Sequence, residues 1–91
     1  MDPLVIAVGP GIRLELDIDH GLLVAKLATG HRTLAMGLGM SGYGPRCSIY
    51  EHFLNVGGTS FLSLSPQDLD AIRAWLTEQG HEFVDLAEEK A

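Results

Sequence analysis

Residues 61–76 read FLSLSPQDLDAIRAWL, and partway through this stretch the hydrophobic period changes. Up to Leu64 the pattern is that of a strand. Beyond Pro66, apolar residues recur at intervals of three and four, and Leu69, Ile72, Trp75 and Leu76 make one stripe along a helix. Ser65-Pro66-Gln67-Asp68 marks the switch. Ser65 is placed to cap the helix, Pro66 sits at the first helical position where its missing N–H costs nothing, and Asp68 completes a capping box. Asp68, Asp70, Arg73 and Glu78 lie largely off the stripe, and Gly80 ends the helix.

Everything upstream has the period of strands. Ile12, Leu14, Leu16 and Ile18 alternate with Arg13, Glu15, Asp17 and Asp19, which predicts a half-buried strand with a wet outer face. Leu4 to Val8 is a strand before it, joined through a turn at Gly9-Pro10-Gly11, and Asp19-His20-Gly21 suits a hairpin loop. Leu22 to Ala28 follows, apolar on both faces apart from Lys26. After Thr29-Gly30, Arg32 to Leu38 puts Leu34, Met36 and Leu38 on one face and the small Ala35 and Gly37 on the other. Residues 37–44, GLGMSGYG, read as a flexible connecting loop closed by Pro45. Cys47 to Val56 is a longer strand, Gly57-Gly58 a two-residue turn, and Thr59 to Leu64 the return strand, with Val56 facing Thr59, Leu54 facing Phe61 and Phe53 facing Leu62. His81 to Leu86 adds a short strand or trails off.

The order of elements predicts an α+β domain over residues 1–87, an antiparallel meander of five to six strands followed by one C-terminal helix packed on the sheet, with 88–91 a loose acidic tail. A problem of width follows. Five or six strands at ~4.8 Å spacing span roughly 25 Å, whereas a helix is about 10–12 Å across. Either the sheet curls around the helix or a second molecule covers the remainder. A homodimer is the expectation, because it also removes an exposed sheet edge.

Composition narrows the function. The formal net charge is −6, and from Pro66 onward seven acidic residues stand against Arg73 and Lys90 alone. No basic stripe is present to neutralise phosphates, so nucleic acid is a poor partner and a basic protein surface a better one. The lone thiol, Cys47, suits a reducing compartment and a cytoplasmic protein. The N-terminus, MDPLVIAVGP, has neither the charge pattern of a signal peptide nor an apolar run long enough to span a membrane.

Gly37, Gly39 and Gly42 spell G-x-G-x-x-G, the spacing of a loop that wraps a dinucleotide's phosphates. That loop works only where it opens a helix within a βαβ unit. Here it runs into Tyr43-Gly44-Pro45 and a β-rich segment, so no nucleotide cofactor is expected. His20, His31, Cys47, His52 and His81 show no paired metal-ligand spacing, and Asp17, Asp19 and His20 read as solvated turn residues. No G-x-S-x-G elbow and no thiol at a helix start is present, so no enzyme and no catalytic residue are predicted.

The strand-to-helix stretch FLSLSPQDLDAIRAWL resembles that of small single-strand-binding modules with a curved sheet, such as the PC4-like coactivators. The resemblance covers about twenty residues and implies nucleic-acid binding as an alternative function. Such modules need basic residues and exposed aromatics on their strands. This chain offers Arg13, Lys26, Arg32 and Arg46, with Tyr43, Tyr50 and Phe53 for stacking. The preferred reading is a small acidic non-enzymatic protein that binds and inhibits or masks another protein, in the manner of phage anti-defence inhibitors or immunity proteins. Its predicted contact residues are Asp68, Asp70 and Glu78 for a basic partner, with Met36, Met40 and Tyr43 as adaptable contacts.

Overall fold

The computed structural model describes residues 2–40 and 46–87. The predicted acidic tail, 88–91, and residues 41–45 of the glycine-rich stretch lie outside them. The fold is α+β, with the strands divided between two sheets. The first is a meander of β1 (Leu4–Gly9), β2 (Ile12–Asp19), β3 (Leu22–Thr29) and β4 (Arg32–Met40) in sequential order. Its second turn follows from handedness. His20 and Gly21 both take positive φ, 52° and 80°, a pair whose twist matches that of the flanking strands.

The second sheet is small, in the order β7 (Thr59–Phe61), β6 (Leu54–Val56), β5 (Cys47–Ile49) and β8 (Val84–Asp85). The predicted single strand from Cys47 to Val56 is two strands. The chain folds back at Tyr50–Phe53, where the Tyr50 N–H donates to the Phe53 oxygen over 2.9 Å, and Cys47, Ser48 and Ile49 pair with Val56, Asn55 and Leu54. The reason is parity. In one straight strand Cys47 and Ile49 would face away from Leu54 and Val56; folding back turns all four inward, and all four are fully buried. Val56 opposes Thr59 and Leu54 opposes Phe61 as expected, while the ladder ends before Phe53 and Leu62.

Helix α1 (Pro66–Gln79) has the predicted ends: the Ser65–Asp68 capping box, proline in the first turn, and Gly80 at φ 69° closing it. After it, β8 pairs in parallel with β5, Ser48 opposite Val84, so the segment from 81 supplies a strand. The helix packs beside β1, and β6 and β7 lie against β3 and β4. A second sheet, which the width estimate did not include, shares the covering with the helix. Helix and small sheet together form the covering layer of the meander. Leu14, Leu16, Leu23 and Ala25 from the meander meet Cys47, Ile49, Leu54 and Val56 from the small sheet and Leu69, Ile72 and Leu76 from the helix.

Candidate functional site

Strand β4 is turned the opposite way from an ordinary edge strand. Its small residues Gly37 and Gly39 are buried, whereas Leu34, Met36 and Leu38 on the other face are 50%, 48% and 49% exposed. The glycines explain the choice. A Cβ at Gly37 would collide with the Val56 main-chain oxygen, and one at Gly39 would come within 3.3 Å of the Arg46 oxygen. The covering layer therefore lies backbone against backbone here, and the bulky residues of the alternation are left on the outer face. The strand expected over Arg32 to Leu38 continues through Met40, into the stretch read as a connecting loop. The first two glycines of G-x-G-x-x-G serve close packing, and Gly42 lies outside the described residues.

The ladder registers lay out that outer face. Met36 is opposite Lys26, which is opposite Glu15, which is opposite Val5; Leu38 is opposite Val24, and Val24 is opposite Asp17. Met40 and Leu22 align with Asp19 in the next row. The face is thus apolar along β3 and β4 apart from Lys26, and charged along β2. Arg13 and Glu15 form an ion pair, Asp17 accepts the Ile18 N–H at 2.9 Å, and Asp19 lies 2.7 Å from His20. Asp17 and Asp19 are exposed beside the apolar half.

Among the described residues the outer edge of β4 carries no further strand, yet it is not open. Thr59 Oγ1 donates to the Met36 oxygen at 3.0 Å, and Gly57 lies directly against the Leu38 carbonyl. The β6–β7 turn thereby closes the edge where strand addition would begin. The apolar residues are accessible by their face.

The predicted contact residues fall on two surfaces. Met36 is on the outer face, and Met40 ends β4 in line with it; Tyr43 lies outside the described residues. Asp68, Asp70 and Glu78 are on the helix, which belongs to the covering layer on the opposite side of the meander. Asp68 is engaged in the cap, accepting the Ser65 N–H at 3.2 Å. Asp70 pairs with Arg73 at 2.8 Å, and Glu78 is exposed beside Asp2 and Trp75. Leu34 and Leu38 were not among the predicted contacts. Their signal was the alternation of large and small residues over 34–39, which says that one face of β4 is pressed against something and the other is not.

Other candidates have structural roles. Cys47 is buried in β5, and desolvation pushes its thiol up to about 12. Tyr50 and Phe53 stack on one another at 4.2 Å between ring centres. Among the described residues, no three His, Cys, Asp or Glu side chains gather as a metal site, and no helix is long and apolar enough to cross a membrane. No protein-family model, curated protein or solved structure matches the chain.

Proposed function

We propose that the protein acts by contact, binding another protein through the outer face of β3 and β4 and masking the surface it covers. The observation that carries this reading is the side-by-side exposure of Leu34, Met36 and Leu38, continued by Val24. Completing the burial of each of the three is worth roughly 1 kcal/mol, about half the value for a fully exposed side chain. Asp17 and Asp19 at the border, and a net charge of −6, favour a partner whose apolar centre is ringed by Lys or Arg. A compact acidic inhibitor or immunity-type protein, phage-borne or cellular, working in the reducing cytoplasm with Cys47 as a free thiol, fits that description.

A homodimer belongs to the same reading, since a second copy would use the same strip. With Thr59 on the edge, two copies would meet face to face. Single-strand binding draws less support. The outer face offers Lys26 and an Arg13 already paired with Glu15, and the rings of Tyr50 and Phe53 cover one another.

The test is a pull-down from host lysate with the wild-type protein and the folded variants Met36→Asp and Leu38→Asp, each with and without nuclease. A stoichiometric protein retained by the wild type after nuclease and lost by both variants supports the proposal. Equal retention by the variants moves the contact to another surface, and a partner set that collapses with nuclease favours nucleic acid. Sedimentation of the same three proteins decides the dimer.

A further inference from the structure

The covering layer does not reach the whole inner face of the meander. Strands β5, β6 and β7 are three residues long, against eight and nine for β2, β3 and β4. At about 3.3 Å per residue the small sheet is roughly 10 Å deep and the strands beneath it nearly three times that. At the end under Val56 and Gly37 the inner face is sealed, with Leu23 and Ala25 fully buried. Toward the other end Leu27, Ala35 and Val8 are only partly covered. The gap is a cavity of about 260 Å³ between Val8, Leu14, Leu27 and Ala35 on the meander and Ser60, Phe61, Leu62 and Leu64 on the covering side.

We infer that this cavity is a binding site for a small, uncharged, mainly apolar molecule, carrying one aromatic ring or a short alkyl chain. Size points to that class. An apolar cavity of about 150 Å³ already accepts benzene, and drug-sized ligands need about 300 Å³ or more. Lining chemistry points the same way. Among the described lining residues none is charged, and a buried carboxylate or phosphate would lose its hydration without compensation. Ser60 is the one polar residue among the described lining residues, and its side chain accepts from Asn55 Nδ2 at 3.0 Å on the face of β7 opposite buried Phe61, so the lining asks for no hydrogen bond from the ligand.

The rim is built with backbone strain. Ser63 has φ 61°, a left-handed conformation uncommon for a residue other than glycine. It separates Leu62, 66% exposed, from Leu64, 4% exposed and held by its N–H to the His52 oxygen at 2.9 Å. Leu62 therefore stands at the mouth on a short irregular segment and Leu64 forms the floor. The site opens on the covering side of β4, away from the outer-face strip, and does not depend on the protein-contact reading.

The experiment is methyl NMR of the full chain titrated with toluene, 1-hexanol and, as a charged control, benzoate, with melting temperature followed in parallel. Saturable shifts are expected for the methyls of Val8, Leu27 and Leu64, with those of Leu34 and Leu38 unmoved. Toluene should raise Tm by about 3 °C or more, and benzoate should bind roughly tenfold more weakly or not at all. Ala35→Leu, which fills the cavity, should abolish the shifts; Val8→Phe fills it from β1 should the first variant not fold. Unmoved cavity methyls in the wild type, shifts spread equally over Leu34 and Leu38, or undiminished binding to a folded filled variant would each overturn the assignment.

Discussion

The Val56 main-chain oxygen occupies the place where any residue other than glycine at position 37 would put its Cβ. Two backbones, one from each sheet, are in direct contact there. Gly37→Ala should cost about 2–3 kcal/mol, the scale of overpacking in a closed core, because a carbonyl in a paired strand cannot swing aside. Gly11 is the control: its φ is 69° but a Cβ there meets nothing within 4 Å, so Gly11→Asn should cost about 1 kcal/mol or less. Urea midpoints of the two variants measure the difference, and a tolerated alanine at 37 would mean the layers are further apart than described.

Arg73 grips Asp85 with two nitrogens, Nε at 2.6 Å and Nη2 at 3.2 Å, and so ties the helix to β8. The pair is largely shielded from solvent, and the hydrogen bond to Asp85 is the leading cause that pushes the guanidinium further up. Asp85→Ala should destabilise by about 1–2 kcal/mol, and Arg73→Lys should recover only part of the interaction, since an ammonium cannot make the two-point contact. Amide exchange at Leu86, whose N–H donates to the Ile49 oxygen at 2.8 Å, should accelerate first.

Cys47 gives stability a dependence on alkaline pH. Burial raises its thiol from 9.0 to about 12, so the folded chain keeps a proton that the unfolded chain releases. The contribution is flat below pH 9 and falls between 9 and about 12, by about 1.4 kcal/mol per unit well inside that window. Cys47→Ala should flatten that part of the stability profile relative to wild type. Native alkylation of the thiol should be slow and should track unfolding; rapid reaction near neutral pH would place the thiol at the surface instead.

Leu38 and Leu54 are the same residue type in neighbouring strands, one half exposed and the other fully buried. Leu38→Asp should cost about 1 kcal/mol, the half of its burial already realised in the folded chain. Leu54→Ala should cost about 2–5 kcal/mol through lost burial and the cavity left behind. Thermal denaturation of both separates a contact surface from a structural one. A collapse of Leu38→Asp would assign the strip to folding.

Much of this fold was legible where a local signal is strong. The cap at Ser65, the alternation over Ile12–Asp19 and the Gly57-Gly58 turn each carry their own instruction, and each element forms where those residues place it. The division into two sheets was less legible because it depends on contacts between segments far apart in sequence. The hint was the change of parity between Ile49 and Leu54, which a single strand cannot satisfy. The strip on β4 was half legible. Its large and small faces could be told apart, but which of them faces the interior is set by the close approach of Val56, and no residue in 34–38 announces that. The place of Asp68 in the cap was legible from Ser65-Pro66-Gln67-Asp68, whereas the pairing of Asp70 with Arg73 depends on side-chain geometry along the helix.

The parallel pairing of Ser48 with Val84 bears on the order of folding. The meander is made of neighbouring hairpins and can form early, from contacts that close short loops. The small sheet cannot be completed that way, because its last strand arrives only after the helix has crossed. Until Val84 reaches Ser48, β5 has one bare side beside an unfinished core. The slow phase of folding should therefore report on β8, and a transient β5 edge is where association between incompletely folded chains would begin.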